Sequence, residues 1–353
     1  MTRAGKFMIY GATGYTGKLT ARTAKAQGLR PILAGRSEDK VKPLASELGF
    51  DWRAFDLADT TTLDAALKQV DAVLHIAGPF SATSKPMVDA CLRTKTHYLD
   101  ITGEIAVFEA IADRDAEARK AGIMLLPGVG FDVVPSDCLA QHVKRRLPDA
   151  EDLKIYIGGV GNPSRGTLKT MVEGFAKPTL MRRNGAIHEV DGVHEDLCDF
   201  GAGPKTTMAL SWGDVATAYR STNIPNIEVH FEATLELQRY ARTPSFIKAF
   251  LGFSFVQNII KRQIDRGPEG PTDEQRKKGQ AVLIAVARNA NGDTVRSRLR
   301  TGEGYTLTAL TGLAIAKRVL EGEFKAGFQT PSLAYGADFI LSFDGVWRED
   351  LNA

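Results

Sequence analysis

The chain has 353 residues, 43% apolar and 25% charged, the proportions of an ordinary folded globular protein, which excludes disorder, collagen-like repeats and disulfide-dense mini-domains. Lys and Arg (45) barely exceed Asp and Glu (42), and the formal charge of +3 marks no nucleic-acid or polybasic membrane surface. This length predicts two domains or one large composite.

The first apolar run, Phe7-Met8-Ile9-Tyr10, ends abruptly at Gly11-Ala12-Thr13-Gly14-Tyr15-Thr16-Gly17. Helix-forming composition follows over 18–27, and Gly28 supplies a stop. The alternation continues with strands at 31–34, 52–55, 72–76, 98–101 and 123–126, separated by helices at 40–48, 61–69, 85–93 and 104–121. Single helices between short strands force parallel pairing, so the reading is an α/β fold with a Rossmann-type doubly wound parallel sheet.

The glycine loop is spaced G-x-x-G-x-x-G, one residue looser than the dinucleotide fingerprint. Gly11 permits the tight turn, Gly14 keeps side chains away from a pyrophosphate, and Gly17 lets the helix pack on the strand, with Ala12, Thr13, Tyr15 and Thr16 completing the cradle. A glycine turn with no ligand is the plain alternative. At the end of the second strand an NAD site would carry Asp or Glu, but here Arg36 and Ser37 stand, a planar cation and a hydroxyl suited to a 2′-phosphate. NADP(H) is therefore the expected cofactor, against the alternative that Arg36 is a solvated surface residue. Asp56, closing the third strand, could reach an adenine amino group, and Ala77-Gly78-Pro79, closing the fourth, could pass beneath the nicotinamide ribose, although turn chemistry explains the same residues.

Several segments together resemble the saccharopine dehydrogenase-like oxidoreductase family, including its trans-acting enoyl reductase branch. They are Gly11–Gly17, Leu33-Ala34-Gly35-Arg36, Gly78-Pro79-Phe80, the run from Tyr98 to Glu104 and the run from Pro127 to Asp137. The runs from Trp212 to Tyr219, Thr222 to Val229 and Gly327 to Pro331 extend the likeness over most of the chain. The resemblance implies an NADP-binding Rossmann domain over 1–148, an inserted α+β substrate and dimerisation domain over 149–303, and C-terminal helices over 304–353 that return to the first domain.

The residues agree with this organisation. After 149 the alternation gives way to β-rich runs at 153–158, 208–211, 227–238, 280–288 and 294–300, a mainly antiparallel sheet with a helix at 167–176, and further helices are expected at 305–320 and 332–342. Near the nicotinamide the polar candidates are Asp100, Thr102 and Glu104 after the fifth strand, then Asp132, Ser136 and Asp137. Asp132, set among Val129, Phe131, Val133 and Val134, is the leading proton donor and Asp100 the second candidate, with helix capping as the competing role for Asp132. In the second domain Arg165 could hold a substrate carboxylate or phosphate, or simply belong to a helix start, and Trp212, Asp214, Tyr219 and Asn226 could line a substrate pocket. No tyrosine is followed four places later by lysine, which sets aside a short-chain dehydrogenase mechanism.

These features predict an NADPH-dependent oxidoreductase reducing a C=C or C=O/C=N group on a small or lipid-like substrate. A non-enzymatic NADP-binding or sensor protein, or an amino-acid-metabolising saccharopine-type dehydrogenase, is the alternative. Cys91, Cys138 and Cys198 show no metal or disulfide spacing and the six histidines are scattered, so no metal is expected. The opening apolar run is too short for a signal peptide, and no stretch nears the roughly 18 apolar residues of a spanning helix; a cytoplasmic homodimer without nucleic-acid partners is expected. Phe246, Phe250, Phe253, Ile260 and Ile264 recur at helical spacing near Lys261 and Arg262. Burial in the core or against a second subunit is the preferred reading of this face, with a greasy substrate or peripheral membrane contact behind it.

Overall fold

The computed structural model describes residues 5–174, 177–235, 238–239, 243, 247 and 250–352. They cluster into two units, one within 1–138 and 304–343, the other within 139–303 and 344–353.

The first unit is built on strands β1 (Phe7–Tyr10), β2 (Ile32–Gly35), β3 (Trp52–Ala54), β4 (Ala72–His75), β5 (His97–Asp100) and β6 (Met124–Leu126), joined by β15 (Gly327–Phe328). Their order, β15-β6-β5-β4-β1-β2-β3, is parallel throughout. β1, β2, β4 and β5 are buried along their whole length, as strands covered on both faces must be. The crossovers are helices α1 (Tyr15–Ala26), α2 (Glu38–Leu48), α3 (Thr60–Leu67), α4 (Phe80–Thr94), α5 (Ile105–Ala112) and α6 (Asp115–Ala121). Sequential strands diverge from β1 in both directions, so β1 and β4 flank the topological switch point, where open parallel sheets bind ligands at their carboxyl ends.

The single helix expected at 104–121 is two. Arg114 takes φ −92° and ψ 8° between α5 and α6, and its guanidinium pairs with Asp89 on α4 at 2.6 Å and with Glu117. A tertiary ion pair thus overrides a continuous helical composition. After α7 (Val134–Arg146), which crosses the boundary between the units, the second unit forms β7 (Asp152–Gly158), α8 (Arg165–Gly174), β8 (Thr179–Arg183), β9 (Ala186–Val190), β10 (Glu195–Asp199), β11 (Pro204–Ala209), α9 (Asp214–Thr222), β12 (Asn226–Glu232), α10 (Ser254–Ile264), α11 (Asp273–Lys278), β13 (Gln280–Arg288) and β14 (Thr294–Gly302).

Its sheet runs β10-β11-β12-β7-β13-β14-β16, with the hairpin β8–β9 attached through β12. β16 is Trp347–Leu351, and all neighbours are antiparallel except β7 and β12. The strand expected to run to 238 ends at Glu232, and residues 236–237 lie outside the described residues, as do 175–176 at the end of the helix expected at 167–176.

Two differences follow the segment after 304. Helix α12 (Gly304–Leu320) packs in the first unit, where Thr311 donates to Val129 O at 2.7 Å, but the helix expected at 332–342 breaks at Gly336 (φ 86°) into α13 (Pro331–Tyr335) and a 3₁₀ turn at Phe339–Ser342. The last residues form β16 in the second sheet, where Asp350 accepts from His142 (2.8 Å) and Ser297 (2.8 Å) and forms an ion pair with Arg146 (3.1 Å). Three charge-assisted contacts on one carboxylate fix a strand that composition gave no reason to expect.

Candidate functional site

The glycine loop is fastened at both sides. Gly11 and Ala12 amides donate to Ala34 O at the end of β2 (2.9 and 3.1 Å), and Gly11 has φ +89°, with a built Cβ only 2.7 Å from Ala77 N after β4. A Cβ on Gly17 would stand 2.2 Å from Gly11 O, so the close packing of loop on helix excludes any side chain there. Gly14 differs. It is exposed, has ordinary φ −73° and ψ 170°, and a Cβ would meet only Gly11 O at 3.6 Å. Nothing inside the fold requires glycine at 14; the space its missing side chain leaves lies over the uncapped start of α1, where an anion's oxygens would meet backbone N–H groups. The residues present therefore fit a dinucleotide pyrophosphate. Thr13 and Thr16 are partly exposed on the same loop, and Tyr15 packs edge-on to Tyr305 at 5.1 Å.

At the carboxyl end of β2, Arg36 is exposed and makes no ion pair among the described residues, and Ser37 stands at the start of α2 without a side-chain capping bond. Both retain hydrogen-bonding capacity for a ligand. Asp56 is exposed after β3, with one oxygen accepting from Ala58 N at 2.9 Å. Arg36 and Asp56 both act on the Tyr10 hydroxyl, whose pKa rises to about 12 through burial first, then the Asp56 charge, with Arg36 opposing. The two groups thus share one corner of the sheet.

The loop after β4 is held from beneath. Thr83 donates to Ala77 O at 2.6 Å, which leaves its oxygen to accept from His75 Nε2 at 3.0 Å. His75 is fully buried among Tyr10, Phe80 and Tyr98, and burial lowers its pKa to about 3, so the ring is neutral. Gly78 and Pro79 are exposed, and a Cβ on Gly78 would meet nothing nearer than 3.7 Å. Glu104 caps α4, accepting from the amides of Phe80 (2.8 Å) and Ser81 (3.0 Å), where the helix dipole favours negative charge. His75, Thr83 and the capping role of Glu104 were not apparent in the sequence; Glu104 lies 24 residues from Phe80, beyond the reach of local capping patterns.

Asp100 is not placed to protonate a substrate. It is fully buried, its Oδ1 accepts from Thr102 N and Gly128 N (both 2.9 Å) and its Oδ2 from Tyr98 Oη at 2.6 Å, an arrangement that ties β5 to the loop after β6. Burial raises its pKa to about 6 despite these bonds. Ser136 donates to Val133 O, and Asp137 accepts from Ser332 N, so both serve the framework. Asp132 is partly exposed, and its Oδ2 lies 3.0 Å from where a Cβ on Gly103 would be. Burial pushes its carboxyl to about 7. At the carboxyl ends of the neighbouring strands β1, β4, β5 and β6, Gly11 thus lies close to Ala77, Phe80 is bonded to Glu104, and Gly103 lies close to Asp132.

The substrate candidates of the second unit are mostly engaged internally. Arg165 clamps a loop, donating to Gly267 O from Nε at 2.9 Å and from its terminal nitrogen, and so is not aimed at a ligand. Trp212 packs edge-on to Phe231 at 4.7 Å, and Asp214 is fully buried in the first turn of α9. The Tyr219 ring carries the Arg182 guanidinium 4.1 Å from its centre. Asn226 accepts from Asn184 N at 2.9 Å. These contacts hold the β8–β9 hairpin and α9 against β12. Cys91, Cys138 and Cys198 are buried thiols, and no metal-binding cluster occurs among the described residues.

Residues 7–126 match the family model described as the saccharopine dehydrogenase NADP-binding domain. The trans-acting enoyl reductase of Mycobacterium leprae is 35% identical over 148 residues, covering 40% of this chain and 35% of that protein. That of Mycobacterium ulcerans is 32% identical over 158 residues, covering 42% of this chain and 37% of that protein. The match thus spans little more than a third of the length of these relatives. Apo saccharopine dehydrogenase (L-Glu forming) from Saccharomyces cerevisiae shares the fold over 99% of this chain and 100% of its own, with a TM-score of 0.69 at 12% identity. The resemblance to the saccharopine dehydrogenase-like proteins therefore holds in residues 7–126, which match a saccharopine dehydrogenase NADP-binding domain, and NADP(H) is the cofactor that this match supports.

Proposed function

We propose that this protein is an NADPH-dependent reductase of a C=C or C=O/C=N group on a small or lipid-like molecule. The observation that carries the reading is the succession of close approaches across the strand ends from the glycine loop to the Asp132 carboxyl, which burial pushes up to about 7, a value that suits a general acid. The enoyl reductase relatives favour a polarised C=C bond as acceptor.

NADPH supplies a hydride when bound. In this reading the backbone of Gly11, Ala12, Thr13, Gly14, Tyr15, Thr16 and Gly17 cradles the pyrophosphate, and Arg36 with Ser37 takes the 2′-phosphate. Asp56 borders the adenine, while Ala77, Gly78 and Pro79 support the nicotinamide ribose. Asp132 delivers the proton that balances hydride addition, and Glu104, His75 and Thr83 keep the intervening loops in register. NADPH oxidation measured across enones, imines and keto acids tests this. Turnover with one class is expected, with Asp132→Asn lowering kcat about 100-fold or more while NADPH affinity is kept. Tight NADPH binding with no turnover on any acceptor would instead mark a nucleotide sensor.

A further inference from the structure

The second unit carries an aromatic knob that the NADP site does not use. Phe250, Phe253 and Phe255 have ring centroids 6.1 Å apart in every pair, yet they remain 52%, 56% and 58% exposed. Ile259, one turn beyond Phe255 on α10, is 59% exposed. Single exposed apolar residues are ordinary, but three touching rings continued by an isoleucine form a contiguous patch. Of the preferred reading, burial in the core or against a second subunit, the core half therefore fails for Phe250 and Phe253; Phe246 lies outside the described residues.

The same outward stripe changes character along its length. Phe255, Ile259 and Arg262 fall at i, i+4 and i+7, and Arg266 follows in the turn after α10. Arg262 and Arg266 are exposed and pair with no acid among the described residues. The neighbouring acids are already taken, Glu173 by Lys261 and Asp265 by Lys169, each at 2.6 Å. Apolar surface at one end and uncompensated guanidinium charge at the other match the boundary between acyl chains and phosphate headgroups.

We propose that the Phe250, Phe253, Phe255 and Ile259 knob, with Arg262 and Arg266, docks the protein on an anionic lipid bilayer. This stands independently of the NADP site. The test is flotation of the full chain with vesicles of phosphatidylcholine alone or mixed equally with phosphatidylglycerol, alongside sedimentation without lipid. The expected result is binding to the anionic vesicles only, weakened by high salt and on the order of tenfold by Phe255→Asp or by Arg262→Glu with Arg266→Glu. All three substituted positions are exposed, and unchanged thermal melts and NADPH affinity would report intact folding. No flotation with anionic vesicles, equal binding to neutral ones, or binding untouched by both variants would overturn the proposal. So would a lipid-free dimer dispersed by Phe255→Asp in a protein that never floats, which would make the knob a contact between copies.

Discussion

Gly14 and Gly17 look alike in the sequence and do different physical work. Gly17 is required by the fold, because its Cβ would lie 2.2 Å from Gly11 O and 2.8 Å from Ala12 backbone that cannot yield. Gly17→Ala is expected to destabilise the first unit by about 1–3 kcal/mol in a thermal or denaturant melt. Gly14→Ala should leave the melt unchanged and weaken NADPH about tenfold or more, since the only contact of its Cβ is at 3.6 Å. At Asp132 the raised pKa has a definite sign. The folded protein holds a proton there up to about 7 while the unfolded chain releases it near 3.8, so this group's contribution to stability is present in acid and is lost as pH rises through that window. Activity that needs the protonated carboxyl should likewise fall above about pH 7, and Asp132→Asn should remove that inflection from the residual pH–rate profile.

The parallel sheet was legible because its strands are short, mostly apolar and separated by helical stretches, a pattern that leaves few topologies. Strands β8, β9 and β10 escaped notice for the converse reason. Their residues are mostly exposed or half-exposed, and β10 reads Glu-Asp-Leu-Cys-Asp, so only pairing, of β10 to β11, β8 to β12 and β9 to β8, makes them strands. The start of α4 shows the same limit at a helix end: its cap comes from Glu104 across space, where local capping would need a residue beside Phe80. Glu104→Ala should cost about 1–2 kcal/mol, lowering Tm by a few degrees, and Glu104→Gln should recover part of the loss. An unchanged melt for Glu104→Ala would remove the capping argument.

Across the molecule, the residues proposed for the cofactor side could be singled out because glycine spacing, Arg36 and Gly78 are local signals that a strand-turn-helix context makes specific. The substrate side was not. Arg165, Tyr219 and Asn226 carry the right chemistry, yet each is engaged in its own unit, and a single sequence cannot separate a polar group facing a ligand from one closing a hairpin. Asp100 shows how far burial alone misleads, since a raised pKa accompanies a carboxylate enclosed by three donors. The most direct measurement is fluorescence titration of the protein and of Arg36→Ala with NADPH and with NADH. The protein is expected to bind NADPH more tightly than NADH, by about tenfold or more, and Arg36→Ala to lose this preference while NADH affinity stays the same. Equal affinities for the two nucleotides, or a preference for NADPH that survives in Arg36→Ala, would contradict it.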